Sequence, residues 1–498
     1  MKYIQIIFIL IFTTSNTFGG AVNEFDLDKI LNELYNAYGD TRIEIPSIKL
    51  QETKEYVASY KFGSNQISIE SAALDACNNT NDPQAALAFI IGHELGHAFQ
   101  EELHDHDHTS FLAYHKALPK EGFDPKKKET EADNFGAFGA FIAGYNIKPI
   151  MEKLISELYE AYGLSDKLLP QYPSQKFRSE TATLLMNTLD SLVNLYEVAN
   201  VLSMAGKYDE ASNAYELMQK YYGGTEVLNS IASNSLLQAV NISKYNVDKY
   251  YYPIEINFQT RLHKAVKTRG TKDLEPEEFQ RRQELCTHSI NVLDQVLRRN
   301  PKDLVAMNNK MLAHIIRGES RQAIVLYHGY ENYLSSINSK EQKTTVEITY
   351  GIALLNTSQE DGIKQLESLK SKCPDHLLRF IQLNLGESQD TNSNFVCSSD
   401  LSPLIDKMEL HSSIPSNLST MEYWGSEFSY WSLPNSTAFK ISDDDGEYYL
   451  VKQKKNTSNN DYQGCVSFPS KSGQSYLYSA EDFFLIDTPD DYVYYLFK

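Results

Sequence analysis

The sequence predicts an α+β protein in three parts. A mainly helical domain with a small edge-strand sheet comes first, an α-helical repeat domain follows, and a small β-rich domain ends the chain. Runs of helix-forming residues at 83–97 and 129–143 support the first part. Small residues that recur at helix crossings from about residue 190 support the second part, and alternating aromatic residues near the C-terminus support the third.

The first residues have the pattern of a secretory signal peptide. Lys2 precedes the apolar run Tyr3–Phe12, and small residues follow at 19–21. A short basic start, a short apolar core and a small-residue exit are typical of a cleaved signal rather than a membrane anchor. We therefore expect residues 1–20 to be removed, leaving an exported protein, periplasmic or secreted, with no integral membrane segment.

A motif of two histidines and a glutamate lies in the first long predicted helix. Asp82-Pro83 is a good helix start, because Asp caps free N–H groups and Pro fits the first turn. The apolar run that follows carries the helix through His93-Glu94-Leu95-Gly96-His97. Residues four apart share a helix face, so both imidazoles can bind one Zn²⁺. Glu94 is then placed to accept the proton of a water molecule, the general-base arrangement of a metalloprotease.

A second predicted helix supplies the third ligand. Glu129 and Asp133 are four positions apart and share one face of this helix. We expect Glu129 to complete a zinc site with His93 and His97, at one zinc per chain. Asp133 is expected to hydrogen-bond a ligand imidazole and to fix its orientation. Glu131 lies roughly 200° round the helix and is expected to point away, a merely solvated acidic face being the alternative for the whole run.

The combined motifs resemble a known family of peptidases. HELGH at 93–97, ETEAD at 129–133 and GYNIKP at 144–149 are similar to the gluzincin metalloendopeptidases of the HtpX, BepA and CAAX-prenyl-protease type. The resemblance spans roughly residues 25–205. It implies a zinc-dependent peptidase domain over residues 21–188. It also implies that residues 62–69 are the family's edge strand, along which substrate pairs as an added strand.

Two more site residues follow from this resemblance. Tyr172-Pro173 and Arg178 match the spacing of a His-Pro-x-x-x-x-Arg segment of the family, with Tyr172 in place of the usual His. The Tyr172 hydroxyl is expected near the open zinc position, where it hydrogen-bonds the developing oxyanion. Packing of the Pro173 turn is the alternative. Arg178 either anchors the substrate or binds the transition-state oxygen, or else forms a structural ion pair.

The loop between the two predicted helices contains a second candidate metal-binding sequence. It reads His104-Asp105-His106-Asp107-His108, in which alternating His and Asp can capture a metal ion. A polar loop is the favoured interpretation. The loop is also short for the family, which indicates a trimmed rim around the predicted active site.

Charge and cysteine content limit the kinds of partner. The chain has 46 Lys and Arg residues against 66 Asp and Glu residues, a formal net charge of −20. Such an excess of negative charge argues against nucleic acid or an anionic membrane surface as a partner. The five cysteines are an odd number, which in an exported protein means at least one free thiol or an intermolecular bond.

Residues 189–388 have a helical-repeat pattern. Gly206–Tyr215 resembles part of a two-helix tetratricopeptide unit, with small residues where the helices cross. The spacing from Pro301 to Pro374 is close to two units of ~34 residues. We expect these repeats to bind a substrate or a protein partner on a curved surface, a generic helical bundle being the alternative. Residues 241–285, rich in Tyr and then in charge, interrupt the pattern without an assignment.

Residues 389–498 begin with a polar linker and continue with a strand pattern. Phe439-Lys440-Ile441 and Tyr448–Val451 flank the dipeptide Asp445-Gly446, which is typical of hairpin turns. Further aromatic alternation at 476–478 and 492–497 predicts more strands. The C-terminal part is therefore predicted to be a small β-rich domain.

The function predicted from these motifs is the hydrolysis of peptide bonds in protein or peptide substrates. The enzyme would be an exported zinc metalloendopeptidase of envelope protein quality control, in which Glu94 deprotonates water and passes the proton to the leaving amine. The alternative is a proteolytically dormant scaffold that binds proteins through its repeats, as a chaperone does. The intact Glu94 argues against this alternative, because a pure scaffold has no need of a general base.

Overall fold

The structure is a computed structural model. It describes residues 24–103, 125–163, 175–219, 224–243, 248–255, 274–336 and 339–387, together with the backbone of seven strands between 428 and 497. The described part is mainly helical with a small three-stranded mixed sheet, which confirms the α+β class. The predicted signal peptide and His104–His108 lie outside the described residues. No helix within the described ranges is long and apolar enough to span a membrane.

The described residues separate into two compact units. The first holds the residues up to Tyr196, with those of Met218–Val227 and Arg299–Pro301. The second holds the remainder. The domain limits that the sequence indicates near residues 20, 188 and 388 stay predictions.

The first unit is built around two helices that lie along each other. Its helices are α1 (Glu24–Tyr38), α2 (Ser71–Asn78), α3 (Pro83–Leu103), α4 (Pro125–Ile142), α5 (Met151–Ala161) and the N-terminal part of α6 (Gln175–Ala205). Helix α3 begins where the sequence predicts, because the Asp82 carboxylate accepts a hydrogen bond from the Ala85 N–H at 3.0 Å. Helix α4 packs along α3, and α1 packs on both.

Two glycines set the distance between α3 and α4. A Cβ atom on Gly136 would lie 2.5 Å from the His93 nitrogen, and one on Gly92 would lie 2.9 Å from the Gly136 Cα. The helices therefore touch backbone to backbone at this point, which only glycine permits. Nearby, Tyr38 stacks on Phe135 and donates a hydrogen bond to its carbonyl at 2.7 Å. The motif-bearing parts of the two helices consequently face each other at close range.

The sheet of the first unit has a different order from the one predicted. Its strands are β1 (Ser47–Gln51), β2 (Ala58–Lys61) and β3 (Gln66–Glu70), in the order β1-β3-β2, with β1 parallel and β2 antiparallel to β3. The prediction of an edge strand at 62–69 is wrong, because Phe62–Ser64 form a 3₁₀ turn and β3 is central. Ile67 and Ile69 are fully buried and Ser68 is nearly so, which shows that both faces of β3 are covered. The edge strand beside α3 is β2.

The described part of the second unit is a succession of helices. Beyond the C-terminal part of α6, its helices are α7 (Tyr208–Gln219), α8 (Thr225–Val240), α9 (Pro276–Arg299), α10 (Leu304–Ile316), α11 (Ser320–Ser336), α12 (Lys340–Thr357), α13 (Gln359–Leu369) and α14 (Asp375–Leu385), with α7, α8 and α9 only partly in this unit. A Cβ on Gly362 would lie 2.5 Å from the Leu355 nitrogen, so α12 and α13 cross at a small residue, as the repeat pattern predicts. The tetratricopeptide relationship itself stays a prediction.

Seven strands are described near the C-terminus. They are β4 (Phe428–Leu433), β5 (Ser436–Asp443), β6 (Gly446–Lys454), β7 (Val466–Ser470), β8 (Gly473–Ala480), β9 (Phe483–Asp487) and β10 (Tyr492–Phe497), paired in the order β4-β5-β6-β10-β9-β8-β7. Strands β5 and β6 pair antiparallel with Asp443 opposite Gly446. The predicted turn at Asp445-Gly446 stays a prediction, because residues 444–445 lie outside the described residues. The extent and function of a C-terminal domain stay predictions.

Candidate metal centre

The three predicted ligands lie together between α3 and α4. The Nε2 atoms of His93 and His97 are 3.1 Å apart, and His93 Nε2 lies 3.5 Å from Glu129 Oε2 while His97 Nε2 lies 3.5 Å from Glu129 Oε1. Ligand atoms around a tetrahedral zinc with bonds of ~2.0–2.1 Å are separated by about 3.3 Å, so these distances fit one ion. Among the described residues, no other group of three or more His, Cys, Asp or Glu side chains is arranged to hold a metal ion.

A hydrogen-bond acceptor at Nδ1, across the ring from the Nε2 atom, orients each imidazole. His93 Nδ1 lies 2.9 Å from an Asp133 carboxylate oxygen, and His97 Nδ1 lies 3.0 Å from the Gln100 amide oxygen. Because oxygen is the acceptor in both pairs, each Nδ1 carries a hydrogen, which reserves each Nε2 for a metal ion in the space shared with Glu129 once any proton there is lost. The contact predicted between Asp133 and a ligand imidazole is thus present.

The amide of Gln100 is in turn contacted by Glu131. The Gln100 Nε2 lies 3.5 Å from a Glu131 carboxylate oxygen, and Glu131 is 9% exposed. Glu131 is not among the grouped metal-binding side chains. Its side chain does not point into solvent either, because the two helices pack closely enough for it to reach Gln100. Sequence reasoning missed Gln100. The available signal was its position three residues after His97, on the same face of α3.

Arg178 lies against Asp133 rather than over the ligand group. Its guanidinium donates to both carboxylate oxygens of Asp133, from Nε at 3.0 Å and from Nη2. This is the structural ion pair that the sequence left open, and a catalytic role for Arg178 stays a prediction. Burial alone would raise the pKa of Asp133, but the charges of Arg178 and His93 outweigh burial and lower that pKa. Tyr172 lies outside the described residues, so its role also stays a prediction.

Glu94 lies buried beside the ligand group. Glu94 is the residue after His93 on α3, and it is only 6% exposed. Burial raises the pKa of Glu94 above its ordinary value, against the lowering effects of His93, His97 and a backbone hydrogen bond from Tyr60. A raised pKa makes a carboxylate a better proton acceptor, and the Glu94 pKa is shifted in that direction. Glu94 is therefore suited to proton transfer at this site.

The ligand group holds a proton strongly when no cation is bound. Burial opposes a charge on His93, but its hydrogen bonds with Asp133 and Glu129 outweigh burial and raise the His93 pKa to about 10. Burial would raise the pKa of Glu129, yet its contacts with the two imidazoles hold that pKa well below the usual range. The Glu129 carboxylate and the two imidazoles thus surround one small space. A divalent cation would bind there in place of the proton.

The family resemblance is carried by the motifs alone. No protein-family model matches the sequence, and no curated protein matches it either. The structure adds a mainly helical fold in which His93, His97 and Glu129 converge as a candidate metal site. Membership of the gluzincin peptidases therefore stays a prediction.

Proposed function

We propose that this chain is an exported zinc metalloendopeptidase that hydrolyses protein substrates in the quality control of envelope proteins. The observation that carries the proposal is the convergence of His93, His97 and Glu129 with Glu94 buried beside them. Two imidazoles and one carboxylate are a donor set that suits Zn²⁺ and leaves a fourth position open. Structural zinc sites usually close that position with a fourth protein ligand, which supports a catalytic site here.

The residues of the site divide the chemistry between them. Zinc bound there would supply a Lewis acid that polarises the scissile carbonyl and lowers the pKa of water. Glu94 accepts the proton of the attacking water and delivers it to the leaving amine. Asp133 keeps the His93 hydrogen on Nδ1, so that Nε2 stays available as a ligand. Arg178 holds the Asp133 carboxylate in place for this contact.

The edge strand β2 supports an extended polypeptide as the substrate. Strand β2 pairs with β3 along one side only, and the Tyr60 backbone of β2 hydrogen-bonds the Glu94 carboxylate. A substrate segment added alongside β2 would pass the proton-transfer group. Tyr56 and Phe62, at the two ends of β2, are 64% and 49% exposed and offer apolar contacts to that segment. We infer a preference for extended segments with apolar side chains.

Metal analysis combined with cleavage of casein tests the proposal. We expect the wild-type chain to carry one zinc ion and to cleave casein. Glu94→Gln should retain zinc but lose activity by ~10²–10⁴-fold, because the amide cannot accept a proton. Glu129→Ala should lose both zinc and activity. Glu152→Ala, which removes an exposed carboxylate on α5, is the matched control and should behave as the wild type.

Two results would contradict the proposal in different ways. Near wild-type cleavage by Glu94→Gln would exclude its role as general base. Equal zinc content in Glu129→Ala and Glu152→Ala would exclude the ligand set. Zinc-loaded wild-type chain that cleaves no peptide bond in casein would instead favour the dormant scaffold.

A further inference from the structure

The backbone has an unusual conformation at the residue that leads into the edge strand β2. Val57 has a φ of +47°, and β2 begins at the next residue, Ala58. Among the described residues other than glycine, only Val57 and Asn65 have a positive φ. The left-handed region is unfavourable for any residue with a Cβ atom, and a β-branched residue such as valine is a genuine outlier there. Such a conformation persists only where the surrounding contacts enforce it.

One buried glutamate holds the residues before β2. Glu70 is the last residue of β3 and is 3% exposed. Its carboxylate accepts hydrogen bonds from the Thr53 hydroxyl at 2.5 Å, from the Glu55 N–H at 2.9 and 3.0 Å, and from the Tyr56 N–H. The Glu70 N–H in turn donates to the Val57 carbonyl at 3.0 Å. We call this set of contacts the Glu70 clamp.

The negative charge of Glu70 strengthens the clamp. Burial would raise the pKa of Glu70, but the hydrogen bonds from the Thr53 hydroxyl and the Glu55 N–H outweigh burial and lower that pKa. Hydrogen bonds to a charged acceptor are roughly twice as strong as those to a neutral one. A glutamine here would have the same shape, but its NH₂ group is a donor and could accept no hydrogen bond from the N–H groups it faces. The clamp therefore depends on a carboxylate.

The register of β2 connects the clamp to the candidate metal site. Successive residues of an antiparallel strand alternate between bonding the partner strand and facing away from it. Because Val57 bonds β3, the main-chain groups of Ala58 and Tyr60 face the open edge of the sheet. From that edge, the Tyr60 N–H donates to the Glu94 carboxylate. A shift of the clamped residues would therefore move the open edge of β2 relative to α3.

We propose that Glu70 is a positioning residue for the substrate: it holds the strained conformation at Val57, so that β2 lies ready to pair with an extended segment beside Glu94. This inference rests on the proposed function, because it assigns Glu70 to the binding of a peptidase substrate along β2. Glu70 acts through β2 and is not itself a catalytic residue. A strand that is already ordered binds its ligand without the entropic cost of ordering, so the clamp contributes to substrate affinity rather than to the chemical step.

The test compares Glu70→Gln with the wild-type chain on an internally quenched peptide that contains a casein cleavage site. We expect KM to rise by about ten-fold or more, because the peptide must order β2 as it binds, while kcat changes by less than about three-fold. Zinc content should stay at the wild-type level. Amide hydrogen exchange should be faster at residues 56–61 of the variant. Glu52→Gln, which removes an exposed carboxylate from the same loop, is the matched control and should leave KM and exchange unchanged.

The substitution Val57→Gly separates positioning from a general loss of stability. Glycine adopts a positive φ without steric cost, so this residue no longer needs the carboxylate to hold it there. Adding Val57→Gly to Glu70→Gln should therefore lower the raised KM by at least about three-fold, since the strain at this position is gone. If Glu70→Gln acted only by loosening the fold, glycine would give no such recovery, because it makes the unfolded chain more flexible.

The outcomes distinguish a failure of this inference from a failure of the proposed function. An active wild-type chain with equal KM in Glu70→Gln and Glu52→Gln overturns the role of Glu70 and leaves the peptidase intact. Faster exchange at residues 56–61 without a change in KM also overturns that role. A wild-type chain that cleaves no peptide overturns the proposed function and this role with it. If circular dichroism shows that Glu70→Gln does not fold, Thr53→Val removes one donor of the clamp at an exposed position and should still raise KM; an unchanged KM there overturns the inference.

Discussion

The two imidazoles of the candidate metal site are held by acceptors of different strength. His93 donates to a carboxylate that also binds Arg178, whereas His97 donates to the neutral amide of Gln100. A charged acceptor makes a hydrogen bond roughly twice as strong as a neutral one. Glu131 compensates in part by contacting the Gln100 NH₂ group. The orientation of His97 therefore depends on the weaker of the two acceptors, the neutral amide of Gln100.

Replacing Gln100 tests this inference. Gln100→Leu keeps the size of the side chain but removes the acceptor, so zinc affinity should fall by ~10–100-fold, as for other groups that orient a metal-bound imidazole. Competition with a chelating dye measures that affinity. Gln84→Leu, an exposed position at the start of α3, is the matched control. Gln100→Glu retains an acceptor oxygen and should recover part of the affinity. Equal zinc affinity in Gln100→Leu and Gln84→Leu would show that the amide does not position His97.

The protonation of His93 predicts how zinc binding depends on pH. In the metal-free chain, burial opposes its charge but Asp133 and Glu129 raise its pKa to about 10. Zinc must displace this proton, so below that pKa the affinity for zinc should rise with pH by about ten-fold per unit for each proton released. Calorimetry at pH 7.5 in two buffers of different ionisation enthalpy measures the release. We expect about one proton per zinc ion or more. A binding heat that is the same in both buffers would contradict the prediction.

At the scale of elements, the geometry of the site depends on the α3–α4 crossing. The glycine contact between the two helices lies immediately before His93 on α3 and seven residues after Glu129 on α4. Any side chain at that crossing must separate the helices, and the ligand distances change with the separation. The hydrogen bond from Tyr38 to the Phe135 carbonyl fixes α1 to the same place. The crossing thus couples fold stability to metal binding.

Gly136→Ala tests this coupling. Its Cβ would lie 2.5 Å from the His93 nitrogen, so we expect a loss of ~1–3 kcal/mol in the free energy of unfolding, typical of overpacking, and weaker zinc binding. The matched control is Gly329→Ala in α11, where a Cβ meets nothing within 4 Å. That change should be neutral or stabilising by roughly 0.5–1 kcal/mol, since alanine is the better helix former. Urea denaturation followed by circular dichroism measures both. Equal stability of the two variants would mean that the crossing tolerates a side chain.

At the scale of the whole molecule, the ligands of the candidate metal site all belong to the first unit, whereas most helices from α7 onward belong to the second. A metal ion bound to the native state but not to the unfolded chain stabilises the part of the molecule that holds it. The two units are therefore expected to respond differently when zinc is removed.

Chelation should lower the melting temperature of the first unit alone. At a free zinc concentration of 100 times the dissociation constant, bound metal contributes ~2.7 kcal/mol to the stability of the native state. Scanning calorimetry with and without a chelator should show one transition that shifts and another that does not. Glu129→Ala, which lacks a ligand, should show no shift. A chelator effect of the same size in Glu129→Ala would place the stabilising metal elsewhere.

Sequence alone was sufficient where the pattern is local. The start of α3 at Asp82-Pro83, the shared face of His93 and His97, and the pairing of Glu129 with Asp133 follow from helix periodicity. Each involves residues a few positions apart, whose relation is set by the 3.6-residue turn once the helix forms. These residues therefore determined the two helices, the candidate ligands and the proposed chemistry.

Tertiary structure decided the contacts between residues far apart in the chain. The sequence placed an edge strand at 62–69, but strand order depends on which faces distant elements cover, and burial on both sides made β3 central. The sequence left the role of Arg178 open, because the contact between its guanidinium and the Asp133 carboxylate forms only when distant helices pack together. It assigned nothing at 241–285, where Asp248–Glu255 follows no helix or strand periodicity. Its conformation comes from asparagines 54 to 133 residues further along the chain, and no local pattern encodes such contacts.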